Sequence, residues 1–308
     1  MTTWDQKKER GSISALKLVI FIHKKLGDKI TAILLRPVVF YFFITDYTAR
    51  KASILYLKNL SESEGISISS IRLFFKSYLH FLSFGRKLIH SLSAWMGEFR
   101  AKDIDYINRE IVHAMVDRKE GGIVLGAHLG CLEVCRATHK EKPGFKIVPI
   151  MYFKNGQKFR SLLKELDPES TQEVILIEDN KSDLPFSIQS RIAKGEFISI
   201  LADRLSPNSK DRMIEVTFLG KKAKLPEGAF ALAYALQCPI LTFFSVYDEK
   251  EKRYKAYWER LDTSSLERLR SKRAENLNYL ANKYIERLEE LVKKHPNQWF
   301  NFFDFWKS

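Results

Sequence analysis

From Gly121 onward, short apolar runs alternate with helix-periodic stretches, and this alternation constrains the fold more than any other feature. Residues 123–126, 147–151, 174–177, 197–202, 214–219 and 240–247 each have the length and composition of a buried strand. Residues 184–194 and 227–237 carry helical periodicity between them. Residues 272–294 close the series with a long amphipathic pattern on Leu277, Leu280, Tyr284, Leu288 and Leu291. Parallel strands need a long crossover, usually a helix, so strands spaced by helices predict a parallel arrangement. The expected class is α/β, a largely parallel central sheet flanked by helices.

The first 120 residues follow another rule. Residues 46–119 read as helical, with Ile71, Phe74, Phe75, Tyr78, Leu79 and Leu82 at helical spacing, mostly as core. Residues 12–26 and 30–45 are apolar stretches with basic flanks. The second has 16 residues, with Arg36 and Pro37 near its middle. That is short of the roughly 20 apolar residues a spanning helix needs. It reads instead as an interfacial helix with Phe40, Tyr41, Phe42 and Phe43 toward acyl chains, the rival being a core helix. Residues 1–60 hold 11 Lys/Arg against 4 Asp/Glu, within a chain of net charge +14. Such an excess bears on partners: nucleic acid, anionic headgroups or an acidic carrier protein. Nucleic acid is the weakest of these, since no recognised binding motif accompanies the charge. The expected division is residues 1–120, helical and membrane-associating, and 121–308, an α/β core, with the boundary near Gly121-Gly122 and a core the two parts can share.

The strand at 123–126 opens into a glycine-flanked turn carrying His128, and Glu133 follows five residues later on what reads as a helix. An imidazole at the carboxyl end of a strand stands where open α/β sheets place their sites. Histidine titrates near neutrality and so can take up and return a proton, and a carboxylate on its second nitrogen would fix the tautomer. The alternative for such a pair is a structural histidine beside a solvated glutamate. Asp203 and Arg204 follow the strand at 197–202, as a surface ion pair or as a second wall of the same site.

At these residues the chain resembles a known family. Gly126-Ala-His-Leu-Gly-Cys-Leu-Glu133 resembles the G-x-H-x-G-N-x-E block of the bacterial lipid A biosynthesis acyltransferases, within the lysophospholipid acyltransferase superfamily and its H-x4-D/E signature. Residues 195–204, a strand ending in Asp, resemble a second block. Residues 218–233 are similar to F-x-G-x-x-A-x-x-P-x-G-x-x-x-L-A, and residues 296–299 to a terminal P-x-Q-W. The blocks occur in the family's order over most of the chain. Cys131 stands where the family usually has Asn, and after the strand at 147–151, where the family commonly carries Arg, Lys154 is the basic residue. The resemblance implies a membrane-associated acyltransferase at the cytoplasmic face of the bacterial inner membrane, peripheral or shallowly inserted. The donor would be an acyl thioester on acyl carrier protein or coenzyme A, and the acceptor a hydroxyl of a lipid or glycolipid. His128 would be the general base and Glu133 its orienting partner. Backbone amides near Gly130, with Arg204 or Lys154, would face the oxyanion, and Asp203 would join the substrate-binding wall. Rival readings are a catalytically silent lipid- or carrier-binding module and an N-acyltransferase.

The remaining motifs narrow the chemistry. No phosphate-binding glycine loop and no G-x-S-x-G occurs, so neither a nucleotide cofactor nor a serine hydrolase is indicated. His128, Cys131, Cys135 and His139 have spacing open to a metal, but paired C-x2-C knuckles are missing, and the expectation is no metal and no cofactor. Three cysteines give no disulfide framework and fit a reducing compartment. Cys131 reads as a small packing residue rather than a nucleophile, and Gln298 and Trp299 as a C-terminal packing anchor.

Overall fold

The computed structural model describes residues 13–135, 137, 142–151, 174–176, 184–204, 212–267 and 269–307. Three helices lead: α1 (Ile13–Thr45), α2 (Tyr47–Ser63) and α3 (Ser70–Trp95). Gly27, at φ +75°, breaks α1 into two helical pieces. Asp46 caps α2 by accepting from the Ala49 amide, and Ser69 caps α3 by accepting from Arg72. There follow β1 (Ile104–Ile107), α4 (Arg109–Asp117), β2 (Gly122–Gly126), β3 (Ile147–Met151), β4 (Ile175–Leu176), α5 (Leu184–Ala193) and β5 (Phe197–Leu201). The chain ends with β6 (Met213–Phe218), β7 (Lys221–Pro226), α6 (Glu227–Leu236), β8 (Ile240–Asp248), β9 (Arg253–Arg260) and α7 (Arg273–Lys294).

Six strands and the two-residue β4 form the central sheet in the order β1-β9-β8-β2-β5-β3-β4. Among the described residues, the β8–β9 pair is the one antiparallel pair of this sheet. The α/β class with a mostly parallel sheet is therefore as the apolar runs predict. The run at 214–219 differs from expectation. It forms a separate two-stranded hairpin, β6–β7, whose turn residues Leu219 and Gly220 have φ of 52° and 73° and which packs on α7. Alternation explains why: Ile214, Val216 and Phe218 are buried while Glu215 and Thr217 are exposed, the pattern of a strand covered on one face. By contrast β2 is buried at all five residues, as a central parallel strand must be. β1 and α4 precede Gly121; β1 joins the sheet through β9, α4 packs on β9, and both share one apolar layer.

The N-terminal helices revise two expectations. The apolar positions on α3 do not all face a core: Ile71, Phe74, Phe75 and Leu79 are exposed, whereas Leu73, Phe81 and Ile89 are buried. Phe43 does not point outward with Phe40 and Tyr41. It is fully buried against Phe74, Tyr78 and Phe81, in a small cluster joining α1 to α3. Among the described residues no single helix is long and apolar enough to cross a membrane. Residues 30–45 and α2 reach that threshold only together, bent by 93°.

Candidate active site

β2 and β5 are neighbours in parallel register, with Gly126 opposite Leu201. Two residues beyond each strand end, that register brings His128 to Asp203. His128 Nδ1 lies 2.8 Å from Asp203 Oδ1, and the His128 amide donates to Oδ2 at 2.9 Å. An ionised carboxylate only accepts, so Nδ1 carries the proton and Nε2 the lone pair. Burial lowers the His128 pKa first, and the Arg204 guanidinium lowers it further, while Asp203 acts in the opposite sense. Burial alone would raise Asp203. The charge of His128, its hydrogen bonds and Arg204 outweigh this and hold the carboxyl below its ordinary value.

Glu133 is elsewhere. The segment after the turn is a 3-10 turn, Leu132–Cys135, rather than an α-helix. It aims the carboxylate at α3, where Lys87 Nζ lies 3.0 Å from Oε1. The Cys131 thiol donates to Oε2 at 3.3 Å. Burial would raise the Glu133 pKa, but Lys87 and the Ser91 hydroxyl bring it down to about 2. The carboxylate that holds the His128 ring is thus Asp203, and Glu133 is the ion-pair partner of Lys87. The physical reason is the tight turn, which sends residue 133 toward the ammonium of a helix 46 positions earlier.

Gly130 makes that turn. Its φ is +64°, and a Cβ there would sit 1.7 Å from the Ser245 carbonyl oxygen, so no side chain can be tolerated. Its amide donates to the Gln298 carbonyl at 2.8 Å, and the Cys131 amide to Ser245 at 2.9 Å. Both amides, expected to face an oxyanion, are therefore committed to the backbone. Arg204 is committed too. It donates to the Phe300 carbonyl at 2.7 Å and lies over the Phe303 ring. Lys154 and His139 lie outside the described residues. Cys131 is fully buried. Burial, and then Glu133, push its thiol well above the ordinary range, which opposes a thiolate nucleophile.

His128, Glu133, Lys87 and Gly130 border one cavity of about 130 Å³, whose walls include Phe84, Trp95, Leu132, Ile147, Ile150, Leu201 and Phe300. Among the described residues Lys87 is the cation lining this cavity. It comes from the middle of an amphipathic helix, and nothing in the sequence distinguishes it from a solvated lysine. Burial lowers its pKa, but Glu133 more than compensates, so it stays charged. The second residue missed is Trp299. It is fully buried, as an anchor would be, but its Nε1 also donates to Asp203 Oδ2 at 3.0 Å. Gln298 pairs both ends of its amide with the Tyr247 backbone, at 2.8 and 2.7 Å.

Residues 80–308 match the family described as bacterial lipid A biosynthesis acyltransferase. No curated protein matches the chain.

Proposed function

Because the chain belongs to the bacterial lipid A biosynthesis acyltransferase family, and membership implies acyl transfer onto a lipid acceptor, we propose that His128 is the base of that transfer and Asp203 its orienting partner. The carrying observation is the His128–Asp203 contact at 2.8 Å on the edge of an apolar-walled cavity. Nε2 takes the proton of the acceptor hydroxyl as that oxygen attacks the carbonyl of an acyl thioester. The tetrahedral oxyanion forms, the C–S bond breaks, and the leaving thiolate recovers the proton from the imidazolium. Lys87, kept charged by its pair with Glu133, is the cation that lines the cavity among the described residues and faces the oxyanion. The apolar walls suit an acyl chain, and the thioester is carried on acyl carrier protein or coenzyme A.

The exposed apolar side chains of α1 and α3 support docking on a bilayer. Ile33, Val38, Phe40 and Tyr41 on α1 and Ile71 and Phe75 on α3 are all more than half exposed, and Arg36, Arg72 and Lys76 stand exposed among them. Aromatic and basic residues on one surface suit the headgroup boundary of an anionic leaflet. This reading gives the exposed faces of α1 and α3 to the membrane, while Lys87 and Trp95 of α3 face the cavity beside the sheet.

The test uses the purified full chain, a dodecanoyl thioester on acyl carrier protein or coenzyme A, and a bacterial lipid extract. Mass spectrometry should show a lipid gaining one dodecanoyl group, lost with His128→Ala. Transfer that persists in a folded His128→Ala protein would overturn the mechanism, and an acylated amine would move the reading to an N-acyltransferase.

A further inference from the structure

A chain of buried hydrogen bonds runs from the N-terminal helices to the His128–Asp203 pair. Ser77 Oγ donates to Ser53 Oγ at 2.8 Å, Ser53 Oγ lies 2.9 Å from His80 Nδ1, and His80 Nε2 lies 2.9 Å from the Trp299 carbonyl oxygen. Ser53, Ser77 and His80 are fully buried. A carbonyl can only accept, so His80 carries its proton on Nε2 and accepts from Ser53 on Nδ1. Every donor in the chain then points toward Trp299. Trp299 passes the constraint on through its indole, which donates to Asp203 Oδ2 at 3.0 Å. Its neighbours hold the other face of the turn: the Phe300 amide donates to the His128 carbonyl, and Gln298 accepts from Gly130, both at 2.8 Å. His80 stacks on Phe302 and Phe300 of the same segment.

Asp203 Oδ2 thus receives two donors, the His128 amide and the Trp299 indole, while Oδ1 receives the imidazole. A carboxylate held at one oxygen by a rigid, fully packed indole cannot rotate, and its second oxygen keeps the ring of His128 in place. We propose that Trp299 is a positioning residue for His128, acting through Asp203, and that His80 positions Trp299, so that the packing of α2 and α3 sets the geometry of the base. The inference rests on the reading of His128 as the base. Trp299 does not border the cavity, so it acts on the rate and not on binding. Loss of the indole donor leaves Asp203 a stronger partner for the imidazolium and should raise the pKa of His128, against the background of Arg204 and the Lys87–Glu133 pair.

The experiment follows the ring nitrogens of His128 by NMR titration in the full chain, together with dodecanoyl transfer to the lipid extract. Trp299→Phe removes the donor but keeps an aromatic ring. The expected result is a His128 titration displaced to higher pH, turnover lower by on the order of 10²-fold and KM near that of the wild type. His80→Leu should move both readouts in the same direction, and His80→Gln, whose amide can still donate to the Trp299 carbonyl, should restore them in part. If Trp299→Phe does not fold, the sulfur analogue of tryptophan (benzothiophene in place of indole) introduced at position 299 gives the same comparison without loss of volume. A folded variant lacking the donor, with the wild-type His128 titration and wild-type turnover, overturns the proposal. A displaced titration together with undiminished transfer by His128→Ala would instead remove the acyl-transfer role of His128 and leave the positioning intact.

Discussion

His128 and Asp203 meet because Gly126 and Leu201 are partners in the sheet: the histidine and the aspartate each lie two positions beyond their strand ends, and the parallel register carries them to a 2.8 Å contact. Both residues extend from neighbouring parallel strands, and β2 is buried at all five of its residues. Glu133, the more obvious partner in the sequence, is 3.0 Å from Lys87 instead.

This separation predicts different consequences for two isosteric changes. Asp203→Asn should lower turnover severely, because an amide in place of the carboxylate loses the charge and can leave His128 in the wrong tautomer. Glu133→Gln should act through Lys87, by removing its partner, and leave the His128 titration closer to the wild type. Measured turnover and His128 titration of both folded variants decide the assignment. A larger effect of Glu133→Gln on the titration would return the orienting role to Glu133.

The pH dependence has a definite sign. Under the proposed mechanism His128 acts when neutral, and burial with Arg204 holds its pKa below the ordinary value. The acid limb of kcat/KM should therefore fall at a lower pH than a free histidine gives, about 6.5. Arg204→Met removes a cation that depresses the value and should move the limb upward. A limb that stays where it was would show that Arg204 does not bear on the base.

How much of this was legible depends on local signals. The strand, the glycine turn and His128 are readable because an apolar run must be buried and glycines flank the histidine, whereas the reason only glycine fits at 130, a Cβ 1.7 Å from the Ser245 carbonyl oxygen, lies in the packing. Asp203 was readable as the end of a strand, but which strand lies beside it depends on sheet order, which short-range periodicity does not carry. β9 is absent from the expected strands because those are read as continuous apolar runs, whereas Arg253–Arg260 alternates polar and apolar residues, the pattern of a strand covered on one face. Lys87 and His80 lie on one helix, and only tertiary packing separates them from its other polar residues. Phe43 turns inward because four successive aromatics cannot all share one helix face, and the sequence alone does not say which of them does.

His80 should also mark the stability curve. Burial brings its pKa down to about 4, against 6.5 for an exposed histidine. Between those values the unfolded chain binds the proton and the folded one does not, so stability rises with pH across that window. The neutral His80 contribution is complete above about pH 6.5 and is lost as pH falls toward 4, by roughly 3 kcal/mol. Urea midpoints of the wild type and His80→Gln, compared from pH 7 to pH 4, should converge as pH falls. A constant difference would show that His80 does not titrate with this shift.

Gly130→Ala is expected to be among the most damaging small changes. The added methyl would sit 1.7 Å from a backbone carbonyl oxygen, which belongs to β8 and cannot move away as a flexible side chain would. The turn must open, carrying His128 and the bridge to Trp299 with it. Turnover should be lost even where some protein folds. A Gly130→Ala enzyme with wild-type turnover would mean the turn is more plastic than its contacts indicate.

Membrane docking separates into three parts. Phe43 is enclosed by Phe74, Tyr78 and Phe81, so Phe43→Ser should destabilise the fold by about 3–5 kcal/mol, the range for removing a buried aromatic. Tyr41 and Phe75 are each 62% exposed, so replacing both by Ser should leave the melting temperature nearly unchanged. It should nevertheless weaken binding to vesicles of anionic lipid, since each large apolar side chain moved out of water contributes roughly 1.5–3 kcal/mol when fully buried. Arg36→Gln and Lys76→Gln should remove mainly the preference for anionic over neutral vesicles. That preference should also shrink with salt, because the screening length is about 8 Å at physiological ionic strength. Vesicle binding and melting temperature measured on the same samples separate the three effects. Wild-type vesicle binding by a folded Tyr41→Ser/Phe75→Ser protein would exclude the exposed faces of α1 and α3 as the docking surface.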